Sequence, residues 1–250
     1  MLGYREIVLT GIHTGLYGLD IPGWNITRLL ENILLNISGD YRIRLSSIEP
    51  LELNDRLIAL MAGDKRLCRH FHIPLQSGSD RILASMRRRY NREYYRDLVL
   101  KTDELIPGAA FTADVMVGYP TETEADFQET YDLINDLPIY ELHVFKYSPR
   151  AGTSAATMVP QVVATEKQNR SEALLELGRK KKIHFLKDFV GQELTVLVER
   201  KLSEDTYVGI SDNYIEVHFS SREDSVGEFV LVTLTEAGED YGTGVMHSRD

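Results

Sequence analysis

The sequence predicts an α/β fold in two parts: a series of parallel strand–helix units, then a small antiparallel β-barrel. Two observations support this division. Up to about residue 150, short β-type runs alternate with segments of helical spacing, the pattern of parallel βα units. From residue 191 onward, β-type runs remain and glycines separate them. We therefore expect a parallel barrel or a doubly wound sheet, followed by the small barrel.

Five strands are predicted in the first part, each followed by a turn residue. They span residues 6–10, 42–46, 69–73, 111–117 and 142–147. Between them, apolar residues recur at helical spacing, at about 27–37, 53–61, 82–86, 94–106 and 127–137. Five strands fall short of the eight that a complete parallel barrel contains.

A long polar helix is predicted at residues 164–188, because this stretch has little glycine and no proline. Four β-type runs follow at 193–200, 206–210, 214–219 and 228–235. Short strands with glycine turns, in about 60 residues, are typical of a small antiparallel barrel. We place the boundary near residue 188, which gives domains of residues 1–187 and 188–250.

The composition is that of a soluble globular protein, with 43% hydrophobic and 26% charged residues. The chain contains neither an apolar run of about 18 residues nor a signal-peptide core, so we expect a cytoplasmic protein that does not span a membrane. Its single cysteine, Cys68, excludes an internal disulfide and a multi-cysteine metal site. We expect Cys68 to be a small buried hydrophobic residue. The net charge of −10 argues against indiscriminate nucleic-acid binding but permits a local basic patch.

Polar residues follow every predicted strand of the first part. Active sites of parallel α/β folds lie at these carboxyl ends of the strands. The segments 10–14, 46–50, 76–80, 118–122 and 146–150 are rich in hydroxyl, amide and charged groups. Such a rim above an apolar interior suits a polar ligand of nucleoside size.

A structural interpretation competes for some of these residues. The segment 77–80 fits a turn and a helix N-cap. Thr121 with Glu124, and Thr123 with Asp126, fit capping boxes. His13 and His72 are isolated in the sequence, and we interpret both as structural histidines.

Five segments together resemble the radical-SAM methylthiotransferases. They are LTGIH (9–13), RLSSIEP (44–50), HIPLQSGS (72–79), DVMVGYPTET (114–123) and FKYSPRAGT (145–153). The terminal barrel from about residue 191 is similar to a TRAM domain, the RNA-binding module of that family. Five long motifs in the family's order are far more specific than a lone glycine pattern. The resemblance implies a partial parallel (βα) radical-SAM barrel followed by a TRAM-like barrel.

The resemblance also implies the cofactors. The family cleaves S-adenosylmethionine with a reduced [4Fe-4S] cluster, and a second cluster delivers the sulfur. The family binds the radical cluster through a CxxxCxxC loop after its first barrel strand, and this chain begins at what would be the second strand. We therefore expect that the cluster ligands are absent here, that the chain contains no metal ligands and that it is inactive alone. The expected S-adenosylmethionine pocket consists of strand-end residues: Thr10, Gly11, Ser46, Ser47, Glu49, Gln76, Ser77, Asp114 and Gly118.

The motifs look most like the branch that methylthiolates threonylcarbamoyl-adenosine beside the anticodon of tRNA. The branch acting on isopentenyl-adenosine is the alternative. A catalytically inactive RNA-binding protein and a nucleotide-binding barrel enzyme without radical chemistry also remain open. We expect tRNA to contact the terminal barrel and the basic residues Lys180, Lys181 and Lys182. The competing interpretation is that this helix only braces the two domains.

Overall fold

Five parallel strands, neighbours in chain order, form the first part of the fold in a computed structural model that describes residues 3–222 and 224–247. They are β1 (Glu6–Leu9), β2 (Arg42–Leu45), β3 (His70–His72), β4 (Ala110–Val117) and β5 (Ile139–Lys146). A parallel bridge between Ile43 and Leu67 joins the β1–β2 pair to the other three strands. The Ile48 amide also donates to the His72 carbonyl at 3.0 Å. The partial parallel barrel is thus confirmed.

Helices connect these strands, as the spacing of apolar residues predicts. They are α1 (Ile26–Asn36), α2 (Asp55–Gly63), α3 (Asp80–Ser85), α4 (Arg92–Leu105) and α5 (Glu124–Asp136), then the short α6 (Ser154–Thr157) and the long α7 (Ala164–Asp188). Side-chain N-caps begin four of them: Asn25, Asn54, Asn91 and Thr123 each accept a backbone N–H of the first turn.

One of the two expected capping boxes is confirmed. Thr123 and Asp126 exchange both hydrogen bonds at the start of α5. Thr121 is not a cap, because its backbone has a φ of +69° and its carbonyl accepts from Arg81 at 2.7 Å. Ser79 occupies the N-cap of α3 without a capping bond, and its hydroxyl donates to Asp126 at 2.7 Å instead.

The two faces of the five-stranded sheet differ in polarity. Alternate strand residues, among them Ile43, Phe71 and Val115, are buried against apolar side chains of the helices such as Leu57 and Val99. The opposite, inner face carries polar side chains: Glu6, Arg42, Arg44, His70, His72, Thr112, Asp114 and His143. Each polar group of the inner face requires a hydrogen-bond partner, and several of these partners lie in the second part of the fold.

The second part is a closed five-stranded barrel of β6 (Glu193–Lys201), β7 (Thr206–Ser211), β8 (Glu216–Ser220), β9 (Phe229–Ala237) and β10 (Gly242–Met246). The predicted small β-barrel is confirmed, and it differs in two respects from the four antiparallel runs that the sequence indicates. The fifth strand, β10, closes the barrel, and it pairs parallel to β8. A side chain at Gly244 would approach the Thr233 carbonyl oxygen to 2.7 Å. Glycine is therefore required at this position, because the strand packs closely against β9. Glycine is uncommon in strands, and for that reason the sequence does not predict β10.

Helix α7 belongs to both hydrophobic cores. Leu174 and Leu177 in its first half pack in the core of the parallel sheet. Leu186 near its end, and Phe189 just after it, pack in the core of the small barrel. Among residues 3–222 and 224–247, no helix is both long enough and apolar enough to cross a lipid bilayer.

The segment between β7 and β8 covers the amino-terminal end of the inner face. Arg42 and Arg44 donate to the carbonyls of Ile210 and Ser211 at 2.8 and 3.0 Å. The ring of Tyr214 stacks on His70, with centroids 4.2 Å apart and an interplanar angle of 8°. The small barrel therefore closes one end of the parallel sheet and leaves the carboxyl ends of its strands uncovered.

Candidate functional site

Ion pairing neutralises the closed end of the inner face. Both Arg42 and Arg44 contact the carboxylate of Glu6, with Arg44 Nε 2.8 Å from Glu6 Oε1. Burial alone would raise the pKa of Glu6, but the two guanidinium groups lower it overall. Removing these charges from water is tolerable because each has paired hydrogen bonds. The closed end is thus a structural junction, and the open carboxyl end is the candidate site.

Four of the expected cofactor-binding residues lie together beyond β1 and β2. Thr10 and Gly11 follow β1 directly, and both are exposed. The Ser46 amide donates to the Leu9 carbonyl at 2.9 Å, which places Ser46 and the exposed Ser47 beside them. The hydroxyls of Ser46 and Thr14 are 3.2 Å apart. Thr14, in the short 3-10 turn Thr14–Leu16, belongs to the polar segment 10–14 but was not among the expected cofactor-binding residues.

Glu49 lies at the edge of this group. Its carboxylate pairs with Arg88 at 2.7 Å, in a depression that His13, Glu52 and the basic run 87–89 also line. An acceptor already bonded to a guanidinium has less capacity for a ligand than a free one.

Gln76 lies between β3 and β4, at the centre of the open end. Its backbone has a φ of +63°, and its amide donates to the Asp114 carbonyl at 2.8 Å while its carbonyl accepts from Met116 at 2.9 Å. A non-glycine residue with positive φ is strained and is found often at functional positions. Its side chain is half-buried.

Ser77 and Gly118 are not part of the exposed rim. Ser77 is 1% exposed, and its hydroxyl lies 3.3 Å from that of Thr130 on α5. The Gly118 amide donates to Glu122 at 3.0 Å, and a side chain at Gly118 would collide with Lys167 of α7. Both residues are used for packing within the protein.

Two histidines surround Asp114 on the inner face. Asp114 Oδ1 is 3.2 Å from His72 Nε2 and 3.1 Å from His143 Nδ1. Burial alone would raise the pKa of Asp114, but hydrogen bonds from His143 and His72 lower it overall. The bond to Asp114 correspondingly raises the pKa of His143. In the fold, His72 thus belongs to a cluster with Asp114 and His143, although it is isolated in the sequence.

The sequence contains a signal for this cluster. His72, Asp114 and His143 fall in three predicted strands, and residues of one parity along a strand share a face. The pairing that sets Asp114 opposite His143 depends on the register of β4 and β5, which sequence spacing alone does not specify.

The three lysines of α7 differ in their surroundings. Lys180 is 69% exposed and lies 3.4 Å from Glu176. Lys181 donates to the Asn135 carbonyl at 2.9 Å, and burial lowers its pKa. Lys182 pairs with Glu141 of β5 at 3.0 Å. Lys181 and Lys182 thus brace α7 against its neighbours, and Lys180 is the one of the three with its ammonium group directed to solvent.

The open rim fits S-adenosylmethionine by the chemistry of its groups. Hydroxyls of Thr10, Ser46 and Ser47, the amide of Gln76 and the carboxylate of Asp114 match a ligand that has hydroxyl, amine and carboxylate groups. An iron–sulfur cluster does not fit this chain. The single thiol, Cys68, is 0% exposed and precedes β3, at the closed end. Burial raises its pKa to about 12, so it is not a ready thiolate.

Comparison with known proteins agrees with this architecture. The family model for the Radical SAM superfamily matches residues 1–134, and the model for the TRAM domain matches residues 187–246. Coproporphyrinogen III oxidase (HemN) from Escherichia coli, a Radical SAM enzyme, shares the fold with a TM-score of 0.50 at 12% identity, over 83% of this chain and 50% of that chain.

Several curated proteins are more similar in sequence. The chain is 40% identical over 246 residues to "Threonylcarbamoyladenosine tRNA methylthiotransferase MtaB" of Bacillus subtilis (strain 168), which covers 97% of this chain and 54% of that protein. It is 36% identical to the protein of the same name from Thermotoga maritima, over 100% and 56%. It is 37% identical to "tRNA-2-methylthio-N(6)-dimethylallyladenosine synthase" of Carboxydothermus hydrogenoformans, over 98% and 56%. The chain spans about half the length of these relatives. With its partial parallel barrel and its closed terminal barrel, the chain belongs to the Radical SAM superfamily and carries a TRAM domain.

Proposed function

We propose that this chain forms part of a tRNA methylthiotransferase that modifies threonylcarbamoyl-adenosine beside the anticodon. The observation that carries the proposal is the polar rim around Ser46, Gln76 and Asp114, which stays uncovered while the TRAM barrel closes the other end of the sheet. The 40% identity to the Bacillus protein, over nearly the whole chain, favours this substrate class.

In this proposal the residues of the rim bind and orient S-adenosylmethionine. The hydroxyl groups beside Ser46 hold its polar groups, and Asp114 accepts from its hydroxyl or amine donors. When bound, and reduced by an iron–sulfur cluster, S-adenosylmethionine would supply the radical chemistry that activates the nucleoside. The chain's own contribution is to position the two ligands at the carboxyl ends of the strands.

The thiolates for the clusters would come from residues that this chain does not contain. We therefore expect the purified chain to bind no stable cluster and to lack methylthiotransferase activity. Anaerobic reconstitution followed by iron and sulfide analysis tests this expectation. About four irons per chain, retained in a Cys68→Ala variant, would contradict it.

A chimera tests the function itself. The part of the Bacillus relative that precedes its match is fused to this chain and expressed in a strain that lacks its own enzyme. Mass spectrometry of tRNA nucleosides should then detect methylthiolated threonylcarbamoyl-adenosine. Ser46→Ala and Gln76→Ala in the chimera should each weaken S-adenosylmethionine binding, because losing one buried hydrogen-bond partner costs about 1–3 kcal/mol. A folded, cluster-loaded chimera that leaves this nucleoside unmodified would refute the proposal.

The same assay separates the alternative substrate. The 37% identity to the Carboxydothermus protein favours dimethylallyl-adenosine, the isopentenyl-type substrate, as the second candidate. Methylthiolation of that nucleoside alone would assign the chimera to the alternative substrate.

Contact with tRNA is the second part of the proposal. The TRAM barrel supplies the binding surface, and Lys180 on α7, the exposed member of the lysine run, extends it. Affinity of the purified chain for tRNA should fall with salt, by about 0.7–0.9 in log–log slope per phosphate neutralised. Lys180→Ala should reduce the slope, and changes at Lys181 and Lys182 should mainly affect stability. Equal slopes in the parent and in Lys180→Ala would remove Lys180 from the interface.

A chain that binds tRNA while its chimera stays inactive would favour the RNA-binding alternative.

A further inference from the structure

We propose that His72, Asp114 and His143 form a binding site for one divalent transition-metal ion of the zinc class. The site lies on the inner face of the sheet, where β3, β4 and β5 each contribute one ligand. It is separate from any iron–sulfur cluster. The ion would use Oδ1 of Asp114, which leaves Oδ2 of that carboxylate for S-adenosylmethionine, and the binding test needs no methylthiotransferase activity.

The distances between the ligand atoms suit a metal ion. Zinc binds imidazole nitrogen and carboxylate oxygen at about 2.0–2.2 Å, so neighbouring ligands of a tetrahedral site lie about 3.3–3.6 Å apart. Asp114 Oδ1 is 3.2 Å from His72 Nε2 and 3.1 Å from His143 Nδ1. One ligand atom of each residue lies within 4.8 Å of the other two. In residues 3–222 and 224–247 this is the one such group of three.

A hydrogen-bond network behind His72 fixes its orientation. His72 Nδ1 is 2.9 Å from the hydroxyl of Thr112, and that hydroxyl is 3.2 Å from Nε2 of His70. Thr112 is 2% exposed and belongs to β4, so its position is rigid. Metal-binding histidines usually use one ring nitrogen for the ion and donate the other to a partner of this kind. Thr112 thus leaves Nε2 of His72 directed at Asp114 and the site.

The chemistry of the ligands selects the metal. Two imidazoles and one carboxylate favour zinc, iron(II) or cobalt(II) over magnesium or calcium, which prefer oxygen ligands. The side chains of His72, Asp114 and His143 are 15%, 26% and 49% exposed, so an ion can enter from the inner face. Three protein ligands leave a fourth position open, as in catalytic zinc sites.

Cobalt(II) is the probe, because its visible absorption reports the coordination geometry. Titration of the purified 250-residue chain at neutral pH should give one ion per chain, with the absorption of a four- or five-coordinate site, and zinc should displace it. His143→Ala and Asp114→Asn should each remove this absorption. His184→Ala is the matched control, since His184 is 81% exposed and faces Asp188 at i+4 on α7. It should leave the titration unchanged.

The network behind His72 gives a second, graded test. Thr112→Val keeps the shape of the side chain and removes the hydroxyl, so affinity should fall about 10- to 100-fold. Thr112→Ser keeps the hydroxyl and should retain the affinity of the parent. Circular dichroism and thermal melting establish that each variant folds.

Two results would overturn the site. One is the absence of stoichiometric cobalt binding at micromolar concentrations, which would leave only a hydrogen-bonded Asp–His cluster. The other is equal binding in the parent and in His143→Ala, which would place the ion elsewhere. His143 is half-exposed, so its variant decides the question if Asp114→Asn does not fold.

Discussion

Cys68 shows how the surroundings of a residue set its chemistry. The residue is fully buried, and burial raises the pKa of its thiol to about 12. The thiolate is the reactive species, so the folded chain contains very little of it near pH 8. We expect no reaction with a thiol reagent such as DTNB in native buffer, and stoichiometric reaction after unfolding in guanidinium chloride. Rapid labelling of the native chain would contradict the burial.

Asp126 is the most heavily bonded carboxylate of α5. It pairs with Arg81 and accepts from Ser79 and Thr123, and the side chain is 8% exposed. Burial would raise its pKa, but the bonds from Arg81 and Thr123 lower it overall. A lowered folded-state pKa gives stability that is complete above the unfolded value, about 3.9, and is lost as pH falls.

Thermal melts of Asp126→Asn and the parent chain test this pH dependence. The variant should be less stable at pH 7, and its difference from the parent should shrink as the pH drops below about 4. A difference that stays constant from pH 7 to pH 3 would show that the ionised form of Asp126 is not what stabilises α5.

Close approach between elements determines where glycine is required. A Cβ at Gly78 would lie 2.6 Å from the Thr130 Cα and 2.9 Å from the Glu129 carbonyl oxygen, both backbone atoms of α5. Gly78→Ala should therefore force the loop and α5 apart, at a cost of about 1–3 kcal/mol in the free energy of unfolding. At Gly63, the last residue of α2, a Cβ meets no heavy atom within 4 Å. Gly63→Ala should be neutral or stabilising by up to about 1 kcal/mol. Urea unfolding compares the two variants, and equal effects would refute the steric explanation.

Elements with a clear period were predictable from the sequence, and close backbone packing was not. The five parallel strands and α1, α2, α4 and α5 follow from apolar spacing and differ from the prediction mainly at their ends. Strand β10 was not predicted, because Gly242 and Gly244 give it the composition of a turn. Both glycines are required for its packing against Leu234 and Val232. Strand-end motifs located the open rim. They did not separate Ser77, whose hydroxyl lies against Thr130 inside the fold, from the exposed Ser47.

The union of the two domains depends on contacts that no sequence period encodes. Arg42 and Arg44 alternate along β2 like residues of any polar strand face. Their partners in the small barrel lie more than 150 residues later in the chain. Side chains of Arg44 and Tyr214 meet only because the β7–β8 segment enters the inner face. The junction closes one end of the sheet, so it also decides which end is open to a ligand.

Arg44→Met tests whether this junction makes the molecule one cooperative unit. Arg44 is 3% exposed, pairs with Glu6, and donates to carbonyls of Ser211 and Asp212 in the small barrel. Removing one partner of a buried ion pair typically costs about 3–5 kcal/mol. Arg42 still pairs with Glu6 in this variant, so we expect a smaller loss than that. The loss also weakens the attachment of the small barrel to the sheet, so we expect one thermal transition for the parent and two for the variant.

Arg56→Met is the matched control for that variant. Arg56 also pairs with a glutamate, Glu31, but its side chain is 65% exposed, and an exposed pair contributes about 0–1 kcal/mol. Calorimetry should therefore find one transition in Arg56→Met at nearly the temperature of the parent. If Arg44→Met also unfolds in one step with an unchanged midpoint, the two domains are held together mainly by α7, whose residues Leu174 and Leu186 lie in the two separate cores. In that case the inner face would depend on the helix, and not on the arginine junction, for the closure of its amino-terminal end.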